Sequence, residues 1–197
     1  LLLEQDLSSA SCDQARLDGK IVQGTRQLNA VVTNLLQYAR GPVYHFQPAE
    51  LTALLDEVGN MMKPKAEQAG VELEWVRDDA ERHCCLDPVQ IKQVLSNVIA
   101  NAIDACPHRD GGNVMITLAE AGETVEIDVL DNGEGIPEEV RSRIFDPFFT
   151  MKDDGIGLGL PMCRRIVEGH NGCMRAEARP EGGTKMTVIL PRGGGDL

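Results

Sequence analysis

Two pairs of short segments, in which apolar and polar residues alternate, restrict this chain to a fold that contains an antiparallel sheet. The four segments span residues 114–119, 124–130, 174–178 and 184–190. Gly122 lies in the turn of the first pair, and Gly182-Gly183 lie in the turn of the second. Runs of this kind, joined by glycine-containing turns, are typical of β-hairpins with one buried face. The buried face must then be covered by a second layer.

Helical periodicity supplies the second layer. Apolar residues recur at three- and four-residue spacing in segments 48–69, 87–106 and 160–168. Gly70 should end the first helix, and Pro64 inside it can kink or split its last turns. Asp87-Pro88 is a start signal for the second helix, with Asp as N-cap and Pro at the first helical position. With shorter strands at 43–46, 71–76 and 83–86, we expect a two-layer α/β fold with helices on one face of a mixed, mostly antiparallel sheet.

A long helix with a heptad pattern precedes this region, from about Cys12 to Arg40. Its seam positions are Leu17, Ile21, Gly24, Leu28, Val31, Leu35 and Tyr38. Because the helix stands outside the α/β pattern, we expect it to pair with another chain, and packing on its own domain is the alternative. Gly41-Pro42 should end it, which predicts two domains, 1–41 and 42–197.

The charge balance of the chain limits its partners. Lys and Arg total 19 against 31 Asp and Glu, a net charge of −12 over 197 residues. Such a chain repels nucleic acid and anionic lipid, so we expect neither as a partner. Apolar runs fall short of the roughly 20 residues that span a bilayer, so we expect a soluble chain, and a cytoplasmic location agrees with the cysteine pattern. The six cysteines form no C-x-x-C pair, so reduced thiols are expected and zinc binding is the weaker alternative.

Three polar side chains share one face of the 87–106 helix. Asn97, Asn101 and Asp104 are spaced by four and three residues. Amide and carboxylate oxygens are hard ligands that suit Mg²⁺. A solvated polar face is the alternative interpretation.

A glycine-containing sequence, Asp-Asn-Gly-Glu-Gly-Ile, directly follows the segment at 124–130. Asp131 stands at the strand end, where a carboxylate can accept a hydrogen bond from an exocyclic amine such as that of adenine. Gly133 and Gly135 allow a tight turn with positive φ. An ordinary hairpin turn is the alternative.

An aromatic cluster lies between residues 145 and 152, where three of the four Phe fall within five residues. Pro147 argues against a core strand there. A hinge or docking patch and a small satellite core are both consistent with the pattern.

Three glycines, Gly155, Gly157 and Gly159, precede the helix at 160–168. Glycines let backbone N–H groups approach an anion, and a helix N-terminus adds its partial positive charge. The βαβ context of a dinucleotide site and the Gly-Lys-Ser/Thr of a P-loop are both absent from the sequence. An acidic protein could hold a triphosphate through backbone N–H groups at these glycines and at the helix N-terminus.

In their order and spacing, these motifs resemble those of the histidine-kinase branch of the superfamily that includes heat-shock chaperone ATPases, gyrase B and MutL. The segments that resemble the N box, first glycine box, F box and second glycine box are 97–104, 131–136, 145–152 and 155–160. Gly182-Gly183-Thr184 resembles the last glycine motif. The resemblance covers about 43–191 and implies the Bergerat ATP-binding fold. The heptad helix resembles the second helix of a dimerisation and phosphotransfer domain, which implies a homodimer.

The resemblance also implies ATP, ADP and Mg²⁺ as ligands. Asn101 would ligate the metal between phosphates, with Asn97 supporting it one turn away. Asp131 would bind the adenine amino group, and Thr184 would hold a water near it. Lys152, in a short lid at 148–157, could reach a phosphate. The other expected nucleotide-binding positions are Asp104, Gly133, Gly135, Ile136, Phe149, Gly155, Gly157, Leu158, Gly159 and Leu160.

One position favours a protein-histidine kinase over an ATPase. Hydrolysing members of the superfamily carry Glu four residues before the metal-binding Asn, and here that residue is Asn97. An amide cannot act as a general base at neutral pH. The expected function is therefore transfer of the ATP γ-phosphate to a histidine, for relay to a response regulator receiver domain.

The acceptor histidine is expected on a helix that is not present in this fragment. The fragment itself could be the cytoplasmic part of a membrane-anchored sensor. None of the chain's own histidines shows the order expected of an acceptor, in which an acidic residue directly follows the His and Arg and Pro lie nearby; they are His45, His83, His108 and His170. A Ser/Thr-directed kinase of the anti-sigma type and a nucleotide-binding scaffold are the alternative functions.

Overall fold

The chain divides into two compact units, Leu1–Gly41 and Pro42–Leu197. The computed structural model describes residues 36, 43–76, 82–106, 111–152 and 155–192. The predicted heptad helix lies outside the described residues apart from Leu36, which is helical. Its role in dimerisation therefore stays a prediction. None of the helices in the described ranges has the length and apolar character that crossing a membrane requires.

Strands and helices are interspersed through the second unit. In chain order they are β1 Gln47–Glu50, α1 Leu51–Ala69, β2 Val71–Val76, β3 His83–Leu86, α2 Pro88–Ala105, β4 Gly112–Ala121, β5 Thr124–Asp131, α3 Glu138–Arg141, α4 Gly159–Gly169, β6 Cys173–Ala178 and β7 Thr184–Pro191. The main sheet has the order β2-β4-β5-β7-β6, and β1 pairs with β3 in a separate ribbon. Only the β2–β4 pair among these is parallel. The predicted mixed, mostly antiparallel sheet is confirmed.

The core lies between the main sheet and the helices α1, α2 and α4. Alternate residues of β4 and β5 are buried against it, namely Val114, Ile116, Leu118, Val125, Ile127 and Val129. Helix α2 packs on α1, α4, β4 and β5, and its apolar stripe is almost completely buried. Each such aliphatic side chain contributes about 1.5–3 kcal/mol on burial. The fold is therefore the expected two-layer α/β arrangement.

The ends of α1 and α2 follow from local capping. The Asp87 carboxylate accepts from the N–H groups of Val89 at 3.0 Å and Gln90 at 3.1 Å, and Pro88 is the first helical residue, as predicted. Gly70 ends α1 in the left-handed region, with φ 70°. Pro64 does not split α1, which is continuous from Leu51 to Ala69.

Two predicted boundaries at the start of this unit are wrong. Residues 43–46 form no strand, because β3 pairs instead with 47–50, from Gln47 opposite Leu86 to Glu50 opposite His83. The first helix starts at Leu51 rather than at residue 48, since the preceding Glu50 side chain accepts from the N–H of Thr52 at 2.7 Å and acts as N-cap.

Candidate functional site

The carboxylate of Asp131 occupies a buried position where β5 ends and β7 begins. Leu130 pairs with Lys185, which places Asp131 opposite Thr184, and Asp131 is 5% exposed. Its Oδ1 atom accepts from the N–H of Gly133 at 2.9 Å and of Thr184 at 3.1 Å. Among the described residues, the two N–H groups that donate to this carboxylate both donate to Oδ1. Oδ2 can therefore accept from a donor on a ligand.

Burial dominates the electrostatics of this carboxylate. It raises the pKa of Asp131 above its ordinary value, against the opposing effects of the N–H groups of Gly133 and Thr184 and the charge of Arg179. In such a low-dielectric position, a hydrogen bond to a ligand is stronger than it would be in water. The position suits recognition of one specific donor.

Glycines form the backbone wall beside Asp131. A Cβ atom at Gly133 would overlap the carbonyl oxygen of Ala105, at the end of α2. A Cβ atom at Gly183, where φ is 91°, would overlap the carbonyl oxygen of Asp131. Gly135, with φ 78°, lies so close that its Cβ would be 3.2 Å from the carbonyl oxygen of Gly183. The two glycine motifs and the end of α2 are therefore packed together.

A second cluster lies on the polar face of α2. Lys152 Nζ donates to Asn101 Oδ1 at 3.2 Å and to Asp104 Oδ2 at 2.8 Å. Lys65 on α1 forms an ion pair with Asp104 Oδ1 at 2.7 Å. Partial burial would raise the pKa of Asp104, but the hydrogen bonds and charges of Lys152 and Lys65 outweigh it and lower that pKa. The structure thus brings the predicted residues Asn101, Asp104 and Lys152 together.

Asn97 connects α2 to the start of α4. A Cβ atom at Gly159 would lie 3.6 Å from both the Nδ2 and the Oδ1 atom of Asn97. The buried Cys163 thiol on α4 donates to the carbonyl of Val94, about one turn before Asn97 on α2, at 3.8 Å, and burial raises the pKa of that thiol to about 12. Asn97 therefore faces the segment that begins α4.

The start of α4 offers backbone N–H groups. Its N-cap, Leu158, makes no side-chain capping hydrogen bond, and the Leu158 side chain is 3% exposed. First-turn N–H groups without a capping side chain can bind an anion. Gly157 just before it has φ 70°, and its carbonyl accepts from the Phe148 N–H at 2.9 Å. The second glycine box and the aromatic segment are thereby joined.

The other predicted nucleotide-binding residues are described by their packing against protein groups. The guanidinium of Arg143 lies 4.7 Å from the ring centroid of Phe149. A Cβ atom at Gly155 would overlap the Thr150 hydroxyl. Ile136 and Leu160 are half-buried. Nucleotide contacts by these residues stay predictions.

Two residues near these clusters, Lys65 and Arg179, were missed by the sequence analysis. Lys65 reaches Asp104 only because α1 packs on α2, and no spacing rule relates residues on separate helices. Arg179 Nη1 donates to the backbone carbonyl of Asp131 at 2.7 Å. Arg179 lies beside the glycines of the last motif, but a turn residue of this kind is ordinarily solvated.

No group of three or more His, Cys, Asp or Glu side chains in the described part of the chain could hold a metal ion. The five cysteines found there, at 84, 85, 106, 163 and 173, are free thiols. The structure therefore gives no support to a zinc site among the described residues.

Comparison with known protein sequences identifies the family. Residues 86–194 match the model of the family described as histidine kinase-, DNA gyrase B- and HSP90-like ATPase. Sporulation kinase A of Bacillus subtilis (strain 168) is 37% identical over 142 residues, 72% of this chain and 23% of that protein. The C4-dicarboxylate transport sensor protein DctS of Rhodobacter capsulatus is 33% identical over 168 residues, 84% of this chain and 26% of that protein. The chain thus spans about a quarter of the length of these relatives.

Solved structures agree with this assignment. The nucleotide-free catalytic domain of histidine kinase ThkA is 33% identical, with a TM-score of 0.70, and covers 76% of this chain and 97% of that one. ThkA in complex with the response regulator protein TrrA gives a TM-score of 0.75 at 31% identity, over 87% of this chain and 49% of that one. Full-length ShkA in complex with AMPPNP gives a TM-score of 0.74 at 27% identity, over 83% of this chain and 35% of that one. The chain belongs to the family of histidine kinase-, DNA gyrase B- and HSP90-like ATPases, and it carries the ATP-binding catalytic domain of a sensor histidine kinase.

Proposed function

We propose that this chain binds Mg-ATP and transfers the γ-phosphate to a histidine side chain on a helix that is not part of this sequence. A response regulator receiver domain is the proposed next acceptor. The observation that carries the proposal is Asn97, an amide that faces the start of α4 where a water-activating member of the superfamily has a carboxylate.

Asp131 supports placement of the adenine base. Its Oδ2 atom would accept from the exocyclic amino group, while Oδ1 stays fixed by Gly133 and Thr184. The proposed path of the nucleotide runs from there towards the uncapped first turn of α4. The N–H groups of that turn would bind phosphate oxygens.

The donor set on α2 fits Mg²⁺. The Lys152 ammonium lies against Asn101 Oδ1 and Asp104 Oδ2, so these hard oxygens already face a cation. Asn101 is the proposed ligand, and the bound ion would neutralise charge on the phosphates. Lys152 shares these oxygens, so its release from Asn101 would free the ammonium to contact a phosphate.

Transfer rather than hydrolysis follows from the chemistry of Asn97. Its amide cannot accept a proton at neutral pH, and it faces the start of α4, where a Cβ atom at Gly159 would lie 3.6 Å from it. Phosphoryl transfer requires mainly positioning and charge neutralisation from the protein. An incoming imidazole brings its own nucleophilic lone pair and needs no such base.

His170 is unsuited to be the acceptor. It is 3% exposed, its Nδ1 atom lies 2.8 Å from the carbonyl oxygen of Ile166, and its Nε2 atom accepts from the Asp87 N–H at 2.9 Å. Both ring nitrogens are engaged. A separate helix that carries an exposed histidine remains the proposed acceptor.

Dimerisation and location belong to the same proposal. We propose that the full protein is a homodimer that forms through the helix predicted at 12–40. We also propose that this domain lies in the cytoplasm, whether or not the full protein is a membrane-anchored sensor. One relative is named as a transport sensor, and one similar structure is a complex with a response regulator protein.

Transfer to a supplied acceptor tests the proposed function. The chain would be incubated with Mg²⁺, γ-labelled ATP and a separately purified helical phosphotransfer domain, with a His→Gln version of that domain as control. We expect acid-labile, alkali-stable label on the histidine-containing domain only. Asn101→Ala should abolish the label. ATP turnover without any labelled acceptor would instead support an ATPase.

A further inference from the structure

We propose that Arg179 is a positioning residue of the adenine site, and that it holds Asp131 through the backbone carbonyl rather than through the carboxylate. The inference rests on the proposed role of Asp131 as the acceptor for the adenine amino group.

Arg179 connects three backbone positions at the end of the β6–β7 hairpin. Its Nη1 atom donates to the carbonyl of Asp131 at 2.7 Å. Its own N–H donates to the carbonyl of Gly183 at 3.1 Å, and its carbonyl accepts from the N–H of Gly182 at 3.1 Å. Only 20% of the Arg179 side chain is exposed. One residue thus closes the turn and holds the end of β5.

The turn that Arg179 closes also positions the carboxylate of Asp131. Thr184, directly after the turn, donates its N–H to Asp131 Oδ1 at 3.1 Å. Gly183 lies so close to the Asp131 carbonyl that a Cβ atom would overlap it. The orientation of the free Oδ2 atom therefore depends on the same hairpin as the guanidinium contact.

The guanidinium also acts on Asp131 through its charge. Burial raises the pKa of Asp131, and the positive charge of Arg179 opposes that effect. The Cys106 thiol is a further titratable group near Asp131, and Glu181 pairs with Arg179 at 3.8 Å. Loss of the guanidinium would leave burial unopposed by this charge, so the carboxyl would hold its proton at higher pH. A protonated carboxyl is a poorer acceptor for an amine.

ADP binding by Arg179→Ala and Arg179→Lys tests the inference, measured by calorimetry from about pH 5 to pH 8. We expect Arg179→Ala to weaken ADP binding at neutral pH by about tenfold or more, as for loss of a charge-assisted hydrogen bond. The pH below which affinity falls should move upward. Arg179→Lys keeps the charge, so its pH profile should stay near that of the wild type. Glu181→Gln is the matched control on the same turn and should leave ADP affinity within about twofold.

Inosine diphosphate distinguishes positioning from a general structural effect. It carries an oxo group in place of the amine, so Arg179→Ala should weaken it much less than it weakens ADP. Equal loss for both nucleotides, with an unmoved pH profile, would show that Arg179 only stabilises the turn and would overturn the inference. If Arg179→Ala does not fold, a shifted profile in Arg179→Gln supports the inference and an unshifted one rejects it. Asp131→Asn without any loss of ADP binding would instead reject the proposed role of Asp131.

Discussion

At the scale of single residues, Gly133 shows that a glycine in a proposed ligand-binding motif can be needed for packing. A Cβ atom there would overlap the carbonyl oxygen of Ala105, whereas a Cβ atom at Gly122 would meet nothing within 4 Å. We expect Gly133→Ala to lower the free energy of unfolding by about 2–3 kcal/mol through overpacking.

Gly122→Ala is the matched control, because Gly122 has φ 67° and its substitution should cost about 1 kcal/mol of backbone strain alone. Urea unfolding of both variants gives the comparison. An equal loss of stability would show that Gly133 tolerates a side chain and that its place in the motif has another reason.

The sequence predicts contacts best where one periodic element carries both partners. Helical spacing places Asn101 and Asp104 on one face of α2, and the structure joins them through Lys152. It does not predict Lys65 or Arg179, because those contacts depend on how separate elements pack and turn. The place of Asp131 at the end of a strand predicts an acceptor role for its carboxylate, whereas its hydrogen bond with Thr184 depends on the register of β5 and β7.

At the scale of the elements, Asp87 joins the start of α2 to the segment that precedes β1 and to the residue that follows α4. Its Oδ1 atom caps the helix through Val89 and Gln90, its Oδ2 atom accepts from the N–H of His45 at 2.8 Å, and its own N–H donates to His170. We expect Asp87→Ala to lower the free energy of unfolding by about 2–3 kcal/mol near neutral pH, more than an exposed cap alone.

The effect of Asp87 should depend on pH. Burial raises its pKa, but the hydrogen bonds from the N–H groups of His45, Gln90 and Val89 outweigh it and hold that pKa below the ordinary value of 3.8. The stabilisation is therefore complete above 3.8 and is lost as the pH falls through the lower folded pKa. Denaturant unfolding of wild type and Asp87→Ala should differ by a constant amount from about pH 6 to 8 and by less below about pH 4. A difference that grew on acidification would contradict this.

The boundaries of β1 and α1 could not be predicted from the local sequence pattern alone. Residues 43–50 contain apolar and polar residues that fit either a strand at 43–46 or one at 47–50. Pairing with β3 selects the second, and the cap from Glu50 then fixes the start of α1. A four-residue strand is too short to specify its own register, so its partner decides.

At the scale of the whole molecule, every contact described around Asp131, Asn101 and Lys152 comes from residues 42–197. We therefore expect a fragment of 42–197 to fold and to bind ADP with the affinity of the full chain. The seam predicted at 12–40 should by contrast supply self-association, so the full chain should be dimeric and the fragment monomeric. Light scattering after size exclusion and ADP titration on both proteins separate these two functions. A dimeric fragment would place the self-association surface in the catalytic domain, and a fragment that folds but no longer binds ADP would show that the nucleotide site depends on residues 1–41.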